Sequence, residues 1–166
     1  MLNIRRNPSG NYELETEIFI PCPIKDVFDF FAQPENLETI TPPWLNFKII
    51  TPGPIEMQAG ALIDYQLKLH GIPLRWKTEI TEWVPGVRFV DTQLKGPYRL
   101  WRHLHTFEEQ TDGTLARDHV TYSVYGGALI NRLFVQGDVE RIFKFRLERL
   151  RNFEFATTSQ QGLVIF

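Results

Sequence analysis

From Tyr12 to Ile20 apolar and polar residues alternate. Tyr12, Leu14, Thr16, Ile18 and Ile20 fall on one face, and Glu13, Glu15 and Glu17 on the other. A period of two predicts a strand that is buried on one side and wet on the other. The period then changes. In PCPIKDVFDFFA a proline opens a segment with Ile24, Val27, Phe28 and Phe31 at helical spacing. Pro34 ends that helix, and PENLETIT predicts a second short one, closed by Pro42 and Pro43. Beyond Leu45 the period returns to two. Strands are predicted at Phe47–Thr51, Ala61–His70, Leu74–Val84, Val87–Leu94, Leu100–Glu109 and Leu115–Val124. The turn sequences PGP, HGIP, PG, KGP and TDG separate them, and connections this short imply consecutive antiparallel hairpins. After Gly126 and Gly127 helical spacing resumes: Val135, Val139, Ile142, Phe143, Arg146, Leu150 and Phe153 share one stripe. A helix from about Asn131 to Phe155 would be ~37 Å long. The first ten residues and the tail from Ala156, which ends in LVIF, read as loose polar ends. Unless it docks, LVIF is an exposed apolar tag.

An antiparallel sheet with one apolar face needs a cover, and the long helix is the large amphipathic element available. The expectation is therefore an α+β fold: a seven-stranded curved antiparallel sheet wrapped on a long C-terminal helix, with two short helices after the first strand. No linker, repeat or low-complexity tract divides residues 1–166, so they read as one domain. A curved sheet gripping one helix leaves space between them. With 13% aromatic residues, the chain has rings enough to fill a core or to line a cavity.

Charge and cysteine content narrow the function. Eighteen basic against twenty acidic side chains leave a net charge of −2, with no basic excess to draw nucleic acid. Cys22 is the sole cysteine, which excludes an internal disulfide and thiolate metal clusters. No apolar run approaches ~18 residues, and MLNIRRNPSG lacks the apolar stretch of a signal peptide. The expectation is a cytoplasmic protein, not an integral membrane one.

Four stretches carry a resemblance: PCPIKDVFDFFAQPENLETITPPWLNF, IDYQLKLHGIPLRWKTEITEWVPG, RFVDTQLKGPYRLWRHLHTF, and DHVTY followed by ERIFKFR. From about Leu14 to Phe153 the chain resembles the START-like superfamily with the helix-grip fold, which includes the polyketide cyclase/dehydrase-like and SRPBCC proteins. The resemblance implies an internal hydrophobic cavity for a small molecule or lipid. The superfamily spans carriers, lipid-transfer proteins and ring-closing enzymes, so the fold leaves the function open.

The lining must carry the rest. In LWRHLHTFEE, Trp101, His103, His105 and Phe107 share a face opposite Arg102, Leu104 and Thr106. Two large rings mark that face as the inner one, with the imidazoles roughly 6.5–7 Å apart along the strand. Three readings stand for them: core histidines with hydrogen-bond partners, ligand-binding or acid–base groups, or two ligands of a zinc or iron site. The last needs a third ligand. His119 has the wrong parity, and Asp91 and Asp118 are the candidates. No metal or cofactor is assigned. Phe89 and Asp91 share a face, as do Asp118, Val120 and Tyr122, so two carboxylates are expected near the cavity, each protonated or partnered. Arg146, within the apolar stripe, is either a rim arginine or the partner of Asp91 or Asp118. Tyr65, Trp76 and Ile80 are expected as pocket walls or core, and Trp44 at the cavity entrance or in the core. Gly137 either makes room for a ligand or permits close packing.

These residues favour binding of a small, largely apolar molecule bearing a polar group that His103, His105, Asp91 and Tyr122 orient. The first alternative is a cyclase/dehydrase-type enzyme, with His103 or His105 as general base and Tyr122 or an aspartic acid as proton donor. The second is a protein-interaction module using a groove or the LVIF tail.

Overall fold

A computed structural model describes residues 1–153; the LVIF tail lies outside them. The chain begins with a strand that the alternation does not announce, β1 (Leu2–Arg6). It holds only two apolar residues, and its position comes from pairing. Ile4 lies opposite Leu14 on β2 (Tyr12–Ile20), and Arg5 reaches Glu13 and Glu15 across the wet face at 2.9 Å. The amino-terminal residues are thus an edge strand rather than a loose end, and the sheet has eight strands rather than seven.

On β2 the expected face is buried at Leu14, Thr16, Ile18 and Ile20. Helix α1 (Ile24–Phe31) follows Pro23 and buries Val27, Phe28 and Phe30. Two short 3₁₀ turns, Pro34–Glu38 and Pro43–Leu45, then carry the chain to the far edge of the sheet. The meander follows in order: β3 (Lys48–Ile49), β4 (Leu62–Leu69), β5 (Ile72–Val84), β6 (Arg88–Lys95), β7 (Leu100–Gln110) and β8 (Gly113–Ser123). All neighbouring pairs are antiparallel, in the order β1-β2-β8-β7-β6-β5-β4-β3. His70 and Gly71, both at positive φ, make the two-residue turn between β4 and β5, the geometry that matches the twist of a hairpin. Register shifts between Lys77 and Thr78 and between Ile80 and Glu82 interrupt the β5–β6 pairing; bulges of this kind bend a strand and increase its twist.

The helical carboxy-terminal region starts earlier and is less uniform than its spacing predicts. α2 (Gly127–Ile130) leads through a π-helical turn at Asn131–Val135 into α3 (Gln136–Arg151). α3 ends at Arg151 rather than Phe155, yet Phe153 still packs on Phe30, with ring centroids 4.4 Å apart. From Val139 onward the stripe is as expected, burying Val139, Phe143, Arg146, Leu147 and Leu150. Upstream, Leu129, Leu133 and Phe134 are at least 60% exposed. Gly137 does not serve close packing, since a Cβ there would meet nothing within 4 Å, and it is not among the residues that line the cavity between the sheet and the helices. No helix of the described residues is long and apolar enough to cross a membrane.

Two apolar clusters flank the middle of the molecule. One joins α1 to Ile18, Phe107, Leu147 and Leu150; the other joins Leu14, Val120 and Tyr122 to Val139 and Phe143. Charged residues lie between them.

Candidate functional site

Strand parity delivers the central residues. Trp101, His103, His105 and Phe107 point inward from β7, with both histidines buried, while Arg102 is exposed on the convex side. On β6, Asp91 pairs across from His103 and Phe89 from His105; on β8, Asp118 pairs across from His105. Three neighbouring strands therefore bring two carboxylates and two imidazoles to one spot.

The imidazole ring centroids lie 3.7 Å apart with their planes tilted by 34°, and the Phe89 ring stacks on His105 with centroids 4.1 Å apart. Asp91 faces one pair of ring nitrogens. Its Oδ2 is 2.8 Å from His105 Nε2 and 3.5 Å from His103 Nδ1. Asp118 faces the other pair, with Oδ1 at 2.9 Å from both His103 Nε2 and His105 Nδ1. Behind it, Thr16 donates its hydroxyl to Asp118 Oδ2 at 3.0 Å, and Arg146 Nε approaches the same oxygen at 3.7 Å. The guanidinium lies 5.5 Å over the Phe31 ring. Arg146 is thus interior, beside one of its two expected carboxylates.

The electrostatics follow from this arrangement. Burial alone would raise both carboxyl pKa values, but the cations outweigh it. His103 and His105 hold Asp91 below its usual range, and Arg146 with the histidines holds Asp118 well below. Burial and the neighbouring His105 push His103 down, whereas His105 is raised because the adjacent carboxylates of Asp118 and Asp91 overcome desolvation. Two carboxylates and one guanidinium need one further positive charge for neutrality. The opposite shifts of the two imidazoles favour His105 over His103 as the holder of that charge.

Above the cluster, between sheet and helices, lies a cavity of about 190 Å³, far more than one water requires. Asp91, His103, His105 and Arg146 form its charged part. The rest is mostly apolar, with Tyr65, Trp76, Tyr98 and Trp101 as aromatic walls and residues of α1, α3 and the 3₁₀ turns around them. Thr78 Oγ1 ties two walls together, accepting from Trp76 Nε1 at 3.1 Å and bonding Tyr65 Oη at 3.0 Å. Burial raises the phenols of Tyr65 and Tyr98, which keeps both as neutral donors.

Of the residues singled out from sequence, Tyr65, Trp76, Ile80, Phe89, Asp91, Trp101, His103, His105 and Arg146 line this cavity. Asp118 is in the cluster but behind the imidazoles, so it orients them without lining the space. Two placements are corrected. Trp44 is not a core residue: it is 43% exposed and does not line the cavity, with Arg141 4.4 Å over its ring and Phe145 against its edge. A ring that follows two prolines gave no parity from which to place it. Tyr122 is fully buried beside Tyr12, Tyr98 and Trp101, outside the cavity lining, and burial pushes its phenol up to about 12. It is removed from the ligand-orienting and proton-donating roles. Thr16, Thr78, Phe31 and Tyr98 were missed. Thr16 and Thr78 share parity with the buried residues around them, a readable signal, whereas Tyr98 sits in a turn and carries none.

A family model described as polyketide cyclase / dehydrase and lipid transport matches residues 20–148. Among solved structures, protein Ms6760 from Mycobacterium smegmatis has a TM-score of 0.66 at 16% identity, covering 92% of this chain and 96% of that one. Ara h 8.0201 has a TM-score of 0.62 at 14% identity, with 86% and 97% covered. A nucleoside-diphosphate sugar epimerase from Corynebacterium glutamicum has a TM-score of 0.62 at 26% identity over 83% of this chain but 28% of that one. No curated protein matches the sequence.

Proposed function

The chain belongs to the polyketide cyclase / dehydrase and lipid transport family, and on that premise we propose that it binds a small hydrophobic or lipid-like molecule between the sheet and α3. The observation that carries this reading is an aromatic-walled, mostly apolar cavity whose ionisable groups Asp91, His103, His105 and Arg146 cluster together. Apolar burial at roughly 25 cal/mol per Å² makes micromolar affinity attainable without chemistry. The cluster would take the ligand's one polar group, and the rings would cover its hydrocarbon. With a sole cysteine, half-buried, and a net charge of −2, the proposal places this binding in the cytoplasm and assigns no nucleic-acid partner.

Native mass spectrometry of freshly purified protein tests it, alongside titration with the apolar dye 1-anilinonaphthalene-8-sulfonate. A co-purified apolar molecule, or saturable one-site dye binding that Leu67→Trp abolishes, is the expected result. Dye binding that never saturates and is unchanged in the filled-cavity variant would reject the reading.

A second reading is favoured by one observation. Two imidazoles whose pKa values are shifted in opposite directions lie side by side, and both line the cavity. That is an acid–base pair of the kind a cyclase/dehydrase-type enzyme uses. Turnover of an enolisable apolar substrate that disappears in His103→Ala, with the fold intact, would decide for the enzyme.

A further inference from the structure

We propose that Asp91, His103 and His105 form a binding site for a single divalent transition-metal ion, of zinc or ferrous type, facing the cavity. Their ligating atoms all lie within 4.8 Å of one another. His103 Nδ1 and His105 Nε2 both face the same oxygen, Asp91 Oδ2, at 3.5 and 2.8 Å. Metal bonds of ~2.0–2.2 Å place tetrahedral ligand atoms roughly 3.3–3.6 Å apart, so Asp91 Oδ2 and His105 Nε2 would separate by about half an ångström, while His103 Nδ1 already stands at that distance from the same oxygen. Two imidazoles and one carboxylate are an intermediate donor set that suits zinc or ferrous iron and disfavours calcium and magnesium, which take oxygen.

The surroundings match what a metal site needs beyond its ligands. An imidazole bound to a metal through one nitrogen needs its other nitrogen held, usually by a carboxylate. Here His103 Nε2 is hydrogen-bonded to Asp118 Oδ1 at 2.9 Å, and His105 Nδ1, which makes no hydrogen bond, lies 2.9 Å from the same oxygen, within reach of a small rotation. Asp118 is in turn fixed by Thr16 and Arg146. The ligands come from two adjacent strands of one sheet, which limits their drift. Charge agrees as well. The two carboxylates outnumber the guanidinium in a buried site, and a divalent ion would offset that excess, its own surplus positive charge attracting an anionic oxygen from the cavity side. Three protein ligands leave a coordination position open for it.

A second grouping, Glu13, Glu15 and His119, also brings three such side chains together. It lies on the convex face, and Arg5 already pairs with both of its carboxylates. It serves here as the internal control.

The test is titration of metal-stripped protein with Co²⁺ or Zn²⁺ alone at pH 7.5. It is followed by calorimetry, by the Co²⁺ visible spectrum and by ¹⁵N shifts of the histidine rings. The expected result is one ion per chain with micromolar or tighter affinity, and shifts at His103 and His105 in the wild-type protein. Asp91→Asn should remove the binding, Asp118→Asn should weaken it ten- to a hundredfold, and affinity should fall with pH as protons compete. Absence of stoichiometric binding below about 100 μM would overturn the proposal. So would binding that survives Asp91→Asn and disappears in His119→Ala. Because no apolar ligand is present, failure here leaves the cavity-binding reading to its own test.

Discussion

Replacing Arg146 with Met removes one charge from the cluster and little volume. The Arg146 side chain is 9% exposed, with Nε 3.7 Å from Asp118 Oδ2, so its loss leaves two buried carboxylates with the imidazoles alone to balance them. Breaking a buried pair by removing one partner costs about 3–5 kcal/mol, because the other charge is stranded. This cluster has a way to recover part of that. His103, held low in the wild type by burial and by His105, takes up a proton more readily once the neighbouring cation is gone, and each unit by which its pKa rises is worth about 1.4 kcal/mol. The compensation is present at acid pH and is lost as pH rises through the group's folded-state value. The loss in Arg146→Met should therefore approach the full ~3–5 kcal/mol at pH 8 and be about 1–2 kcal/mol smaller at pH 5.5. Urea unfolding followed by tryptophan fluorescence at the two pH values measures both numbers. A change below ~0.5 kcal/mol at pH 8 would refute the interior ion pair. A large loss equal at both pH values would refute charge compensation by histidine.

The wild-type histidines should titrate in a set order, His105 above the ordinary imidazole range and His103 below it; ring ¹⁵N shifts between pH 4.5 and 9 check this, and the reverse order would be fatal to the charge assignment. Since His105 is raised, its contribution to stability is full below ~6.5 and lost as pH rises through its folded value, so His105→Gln should cost more at pH 6 than at pH 9. Gly137→Ala should raise stability by ~1 kcal/mol, because the position is helical and a Cβ meets no neighbour within 4 Å; a loss in thermal unfolding would contradict it. Thr78→Val leaves Trp76 Nε1 and Tyr65 Oη without their shared partner and should cost ~1–3 kcal/mol, with Thr78→Ser costing less; equal losses would mean that the methyl group matters rather than the hydroxyl.

Periodicity made most of the fold legible because the long strands β2, β7 and β8 bury alternate residues. β1 escaped because its five residues include only Leu2 and Ile4 as apolar positions; pairing with β2, not its own pattern, makes it a strand. The π-helical turn escaped for a related reason. The predicted helix begins at about Asn131 with its stripe at Val135, and nothing in the spacing marks the change at Asn131–Val135 or the exposure of Leu129, Leu133 and Phe134. Spacing says which residues share a face, not which way a face turns once an extra residue enters the helix.

The same distinction governs the site. Parity placed His103, His105, Asp91 and Asp118 on inner faces, but it could not say that Asp118 lies behind the imidazoles and Asp91 in front of them; that depends on which strands are neighbours. Once the order β8-β7-β6 is known, the histidine strand stands between the two aspartate strands, and each imidazole meets a carboxylate on either side. Stability does not require such a cluster. Apolar residues of similar volume in the same places would commonly be neutral or more stable by ~1–4 kcal/mol. A cavity meant only to hold hydrocarbon would be better served by them. The two carboxylates, two imidazoles and guanidinium clustered at this cavity are therefore best explained by what they can meet there: the polar group of a bound molecule, a proton in transit, or a metal ion.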